Sequence, residues 1–434
     1  MLFPENTEQV QDIIRNARKD GRGLVPLSSE PPHFHGASVN PNAETICFSR
    51  MNRVMKIDRR SRYARVEAGV TFGTLIPLLA EQGLRLNLPF LARAGKSAAA
   101  SALEREAVLI PKYQYDYPDP LLTVETVFGT GDMFRTGSAA GPGSYEESKA
   151  DKILPWGPGS IDYLRFLSGA QGTIGFVTWA TLKAEVLPSA SRLFFIASEN
   201  AETLTDLANT LARKRIPDEC IIINREDFAA AFGDNEAEEQ TLRGVSPWVM
   251  LCRVCGYDRY SEERVDIYDG YVRDACSEVG LNAETSCSLL PGLEERIERM
   301  LTDCDRREKS WKLRLGAEQE LLLLAAPSKA SELIALIESE LPDAGIIVQP
   351  QVQGRAFRIE CNLRFKDKPG ETEKYEAVLF ELAKKLADKG AYFDRPYGRL
   401  TELVYNEPLS VDAMKRLKTI FDPDGILNPG KLCF

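Results

Sequence analysis

The chain has 434 residues, 44% apolar and 27% charged, enough for two or three domains around a substantial core. Its net charge of −10 argues against a nucleic-acid surface, and no run approaches the ~20 apolar residues of a membrane span. Nine cysteines, an odd number without a framework, read as free thiols, and the opening Pro4-Glu5-Asn6-Thr7 leads into a helix with no visible signal peptide, which points to the cytoplasm.

Val10, Ile13, Ile14 and Ala17 fall at helical spacing, and Gly21 ends that helix. A strand over 23–26 leads into the loop 27–36, which holds His33 and His35, the only two histidines. Strand pairs follow over 45–48, 54–57 and 63–68. A helix begins at Thr71 and carries Phe72, Leu75, Ile76 and Leu79 on one face. The small-residue stretch 93–101 comes next, then a hairpin of strands 122–128 and 133–136 turned at Gly129-Thr130-Gly131-Asp132.

A Gly-, Ser- and Pro-rich loop over 137–159 leads to a helix starting at a Ser160 cap and stopping at Gly169. A strand runs on from Ile174. Between them Gly172 and Gly175 leave a turn with little side-chain bulk, able to take positive φ and to lie against a ligand. Beyond 192 the pattern changes to strands near 192–196, 248–254, 320–325, 345–348 and 356–362 with helices between, which suits an antiparallel sheet covered by helices on one side. Cys252 and Cys255 form a CxxC, but on a strand, where residues three apart face opposite ways. No zinc or iron–sulfur site is expected, and no metal site of any kind.

Three segments carry a resemblance. Ser168-Gly169-Ala170-Gln171-Gly172-Thr173-Ile174-Gly175 with its following strand resembles the flavin-binding signature of the vanillyl-alcohol-oxidase/PCMH superfamily. Val66-Glu67-Ala68-Gly69-Val70-Thr71 and the terminal Asn428-Pro429-Gly430-Lys431 agree in order and spacing. Within the superfamily the chain is most similar to the glycolate/D-lactate dehydrogenase branch. The resemblance implies an α+β fold: a PCMH-type FAD-binding domain over 1–187, a substrate or cap domain with an antiparallel sheet and helices over 188–404, and a segment over 405–434 returning to the FAD domain. It implies FAD as cofactor, held noncovalently in this branch, although part of the superfamily links a loop histidine to the flavin.

The cofactor residues it suggests are Pro26, Ser28, Ser29, His33 and His35 in the first loop, and Gly95 and Ser97, with Lys96 as a phosphate neutraliser. In the turn they are Gly169, Gly172, Thr173, Ile174, Gly175 and Val177, and at the end of the chain Asn428 and Lys431. Pro31 and Pro32 stand where the family usually has glycines, and a proline donates no N–H to a phosphate.

Flavin dehydrogenation needs a substrate C–H placed for hydride transfer to flavin N5, a base for the hydroxyl proton, and a cation for any carboxylate. The branch usually draws on a His-x-Gly-Asp-Gly-Asn-x-His segment and a metal, and this chain has no histidine after His35. Three clusters remain as candidates: Arg395 and Tyr397 with Asp394 nearby, Lys112 and Tyr113, and Arg358 and Glu360 on one strand face. The leading expectation is an FAD-linked oxidoreductase acting on CH–OH groups, a dehydrogenase of a 2-hydroxy acid or related alcohol. Its electrons would pass to an iron–sulfur or electron-transfer flavoprotein partner. A flavin-bearing or degenerate structural or electron-relay subunit, or a phenolic-alcohol oxidase, are the alternatives.

Overall fold

The computed structural model describes residues 1–33, 43–140, 145, 147, 149 and 162–434. His35, the Ser160 cap and most of the 137–159 loop lie outside the described residues. The first helix spans Thr7–Asp20, with Asn6 accepting the Gln9 N–H and Gly21 closing it at φ 64°. Its buried Val10, Ile14 and Ala17 pack against Phe48, Phe176 and Leu427 in one cluster.

Strands β1 (Gly23–Leu27) and β2 (Ala43–Cys47) form a parallel pair. The sequence pattern grouped 45–48 with the two strands that follow it. Both edges of β2 are already used, however, one by β1 and the other by Leu2, which exchanges bonds with Thr45 and Cys47. The next sheet is antiparallel, in the order β3 (Val54–Asp58), β4 (Tyr63–Glu67), β8 (Gly175–Val186), β6 (Leu121–Phe128), β7 (Met133–Arg135), with β5 (Leu84–Leu86) also on β8. The long β8 is buried along nearly its whole length, as its apolar residues on both faces require. Helices Phe72–Glu81 and Ala98–Leu103 cover this sheet through Phe72, Leu75, Leu79, Ala98 and Ala102.

Only residues 187–189 separate β8 from β9 (Ala190–Ser198), the edge of a second six-stranded antiparallel sheet. Its order is β12 (Ala317–Ala325), β14 (Ala356–Phe365), β13 (Gly345–Gln351), β10 (Cys220–Asn224), β11 (Trp248–Gly256), β9. Four helices, Ala201–Arg213, Ser261–Glu278, Ala330–Glu340 and Glu371–Asp388, bury one face with Leu204, Leu211, Val265, Ile337 and Leu386. The sequence pattern missed β10: its Ile221, Ile222 and Ile223 are buried on both faces and show no alternation. It also missed the second cover. Helices Arg225–Phe232 and Leu293–Thr302 pack on the opposite face against Phe195, Ile223 and Leu251. Cys252 lies among the first set of packed residues and its strand neighbour Leu251 among the second, so Cys255 points away from Cys252.

The uncovered part of that second face belongs to β12, β14 and β13, and it faces the first unit. The chain end returns to β1: Leu24 donates to Ile426 O at 2.7 Å, and Asn428 donates back to Leu24 O at 2.8 Å. Among the described residues no helix is long and apolar enough to cross a membrane.

Candidate functional site

Helix Leu164–Leu167 stops before Gly169, whose positive φ of 79° turns the chain and whose N–H donates to Leu103 O at 2.8 Å. Gln171 and Gly172 follow at φ 51° and 70°. Thr173, fully buried, ties its hydroxyl back to Ala170 O at 2.7 Å. A Cβ on Gly172 would sit 2.7 Å from Pro26 Cγ, and one on Gly175 would meet Thr126 and Phe128. Glycine at these two positions therefore lets the turn press against β1 and β6, as well as expose its backbone.

The turn, the helix Ala98–Leu103 and the C-terminal segment line a cleft. Of the cofactor residues suggested by the sequence, Pro26, Ser28, Gly172, Gly175, Val177 and Asn428 line it. Its walls are apolar at Ala68, Ala99, Ala100, Leu103 and Phe176. Asn428 is buried; its amide donates to Gln171 O at 2.6 Å, while its Oδ1 has no partner among the described residues. Such an orphaned acceptor between apolar walls fits a planar ring system with an N–H on its edge, the character of an isoalloxazine. The residues present fit FAD at its ring end. Among the described lining residues there is no lysine or arginine for the pyrophosphate.

The other suggested cofactor residues have different partners. Ser97 caps the helix Ala98–Leu103 through Ala100 N and donates to Ala68 O at 2.6 Å, and its own N–H goes to Ser29 Oγ at 2.9 Å. Gly95 gives room to Glu30, whose Cβ would lie 3.0 Å from an added Cβ. Lys96 is held at 2.7 Å by both Glu104 and Glu106, which keep it charged against burial, so its charge is already compensated. Ile174 packs in the core of the first sheet, Lys431 is half-buried, and His33 is exposed.

A second cleft adjoins the first and shares Glu104 with it. Its floor is the uncovered face of β12, β14 and β13: Glu320 and Leu322, Arg358 and Glu360, Ile347 and Gln349. Arg395 closes one side and lies 3.3 Å from the Tyr397 hydroxyl, while Phe90 and Trp311 line another. Two of the three sequence clusters thus meet here.

The electrostatics divide the cleft. Arg358 holds Asp394 with both carboxylate oxygens, the Nη2 bond at 2.7 Å. Lys312 sits among Glu318 at 3.2 Å, Glu360 at 2.7 Å and Glu320. Burial pushes the Glu318 carboxyl up to about 8 although Lys312 opposes the shift. Arg395 is 8% exposed and has Glu104 at 3.7 Å and Glu106 at 3.9 Å, both of which bind Lys96 more closely. Burial also pushes the Tyr397 phenol up to about 12 against the pull of Arg395, so it is a neutral hydrogen-bond donor near pH 7.

Lys112 and Tyr113 lie elsewhere. Lys112 pairs with Asp218 at 2.6 Å in a buried cluster with Arg85, Glu219 and Arg253 that ties the first unit to the second sheet. Glu104, Glu106, Gln349, Lys312 and Trp311 were not singled out from the sequence. A Glu-x-Glu after a small-residue helix and a Gln-Pro-Gln strand end carry no signature, and only the packing of the two units brings them together. Among the described residues no group of three or more His, Cys, Asp or Glu side chains is arranged to hold a metal ion.

The comparisons agree with this architecture. The family described as FAD binding domain matches residues 1–137, and FAD linked oxidases, C-terminal domain, matches 403–432. D-2-hydroxyglutarate dehydrogenase of Stutzerimonas stutzeri is 23% identical, over 100% of this chain and 90% of its own length. Glycolate oxidase subunit GlcD of Bacillus subtilis is 23% identical, over 100% of this chain and 88% of its own. Among solved structures, p-cresol methylhydroxylase with substrate bound has the same fold: TM-score 0.83, 18% identity, 100% of this chain and 88% of that one. With an FAD-binding domain and an FAD-linked-oxidase domain matched at the two ends of the chain, and an apolar cleft lined where those ends meet, the chain is similar to FAD-linked oxidoreductases and has the fold of p-cresol methylhydroxylase.

Proposed function

We propose that the protein is an FAD-linked dehydrogenase of 2-hydroxy acids that oxidises their CH–OH group and passes the electrons to a protein acceptor, an iron–sulfur or flavoprotein partner. The observation that carries this reading is the pair of adjoining clefts: one suits the flavin ring, and the other presents Arg395 buried, with its Nε unpartnered among the described residues and its nearest carboxylates at 3.7 and 3.9 Å. FAD supplies the acceptor for the hydride when bound. Arg395 holds the substrate carboxylate, since a guanidinium offers two parallel N–H groups to it. Glu104, in the wall common to both clefts, takes the hydroxyl proton, and the Tyr397 phenol donates to the substrate oxygen without itself ionising. Relatives named as a D-2-hydroxyglutarate dehydrogenase and a glycolate oxidase subunit support the hydroxy-acid class.

The test is turnover of a 2-hydroxy-acid panel with an artificial dye as acceptor, in wild type and Glu104→Gln. The reading expects turnover by wild type, and at least ~100-fold lower kcat in the variant with FAD content unchanged. Equal kcat in the two proteins would remove Glu104 from the chemistry, and a panel without any turnover would overturn the hydroxy-acid reading.

A further inference from the structure

The second cleft holds buried donors that its own walls do not use. Gln349 Nε2, Arg358 Nε and Arg395 Nε have no hydrogen-bond partner among the described residues, and these side chains are 3%, 2% and 8% exposed. Gln349 and Arg358 are opposite each other on β13 and β14, and Glu360 follows Arg358 on the same strand face, opposite Ile347. A buried donor left without an acceptor is destabilising, so three in one cleft mark a ligand rich in acceptor oxygens.

The charges say which oxygens. Arg358 has both oxygens of Asp394, and Lys312 has Glu318, Glu320 and Glu360 around it. A second carboxylate on this floor would lie beside the carboxylates of Glu320 and Glu360. A bare hydrocarbon tail would leave Gln349 and Arg358 unanswered. A hydroxyl answers both, since it accepts from the amide and guanidinium and donates to a carboxylate. Phe90 and Trp311 offer apolar faces to the C–H side of the same chain.

Building on the hydroxy-acid reading, we propose that the substrate is a polyhydroxy acid, with its carboxylate at Arg395 and a neutral, hydroxyl-bearing tail on the floor formed by Gln349, Arg358 and Glu360. A site that hydrogen-bonds substrate hydroxyls rejects analogues lacking them far more strongly than it resolves chain length.

The experiment compares four ligands on the FAD-containing protein: a six-carbon aldonic acid, 2-hydroxyhexanoate, 2-hydroxyglutarate and lactate. Binding is measured by calorimetry and flavin reduction by anaerobic spectroscopy. The expected result is aldonate binding at least tenfold tighter than 2-hydroxyhexanoate or 2-hydroxyglutarate, with this ratio falling toward unity in Gln349→Leu. Equal or tighter binding of the dicarboxylate or the alkyl acid by wild type overturns the proposal, and this needs no variant to fold. Reduction by lactate with no preference for the aldonate sinks the polyhydroxy tail alone. A protein that neither binds nor is reduced by any of the four sinks the hydroxy-acid reading as well.

Discussion

Lys418 links the C-terminal helix to the flavin cleft, and its removal gives a graded test of how that wall is held. Its ammonium, on a residue 8% exposed, donates to Thr173 O at 2.8 Å, Leu427 O at 3.2 Å and Asp422 Oδ2 at 2.7 Å. Asp422 is buried and also receives the N–H groups of Ile426 (3.1 Å) and Leu427 (2.8 Å). Lys418→Met keeps the length of the side chain but leaves Asp422 charged and two carbonyls unanswered. Breaking a buried pair on one side costs about 3–5 kcal/mol. At about 2.1 cal/mol/K per residue, 434 residues give an unfolding entropy near ~0.9 kcal/mol/K, so Tm should fall by ~3–5 °C. Lys418→Met/Asp422→Asn, which removes the stranded charge, should recover more than half of that loss. Asn428 hangs on the same segment, so the Kd for FAD should rise at least ~tenfold in the single variant. Thermal melts by circular dichroism and fluorescence titration of FAD read both effects. A Tm within ~1 °C of wild type and an unchanged FAD affinity would refute the reasoning.

Arg395→Lys should raise KM for the true substrate at least ~tenfold with FAD content normal, because an ammonium cannot supply the planar two-point fork; unchanged kinetics would exclude the anchor. Glu318, pushed up to about 8 by burial, keeps a proton in the fold that the unfolded chain releases above about pH 4.5. Its contribution to stability is full below that pH and is lost as pH rises toward 8, with a slope of up to ~1.4 kcal/mol per unit. Urea denaturation should show this decline, and Glu318→Gln should flatten it; an equal slope in the variant would contradict the assignment. Acid denaturation should release the FAD from the polypeptide, and flavin fluorescence remaining on the denatured chain would indicate a covalent bond instead.

The local elements were largely legible in the sequence because each rests on short-range rules. The helix Thr7–Asp20 has its Asn6 cap and Gly21 stop, and the hairpin of β6 and β7 has its Gly-Thr-Gly-Asp turn. The turn at 169–175 was legible as a turn, although the packing of Gly172 on Pro26 shows that part of its glycine content serves the contact with β1. The second cleft was only half legible. Arg395 and Arg358 stood out as charged residues in unusual company, but Lys112 was as conspicuous, and its partner Asp218 lies beside the second sheet. Gln349 and Glu104 gain meaning only from register across three strands and from the docking of a helix over a sheet more than two hundred residues away. Spacing along the chain carries no trace of that.

The most direct measurement of the central claim is anaerobic mixing of the FAD-containing protein with its best 2-hydroxy acid in a stopped-flow spectrophotometer. The account predicts that the absorbance of oxidised FAD bleaches at least as fast as dye-coupled turnover. FAD that stays oxidised with every 2-hydroxy acid would contradict it.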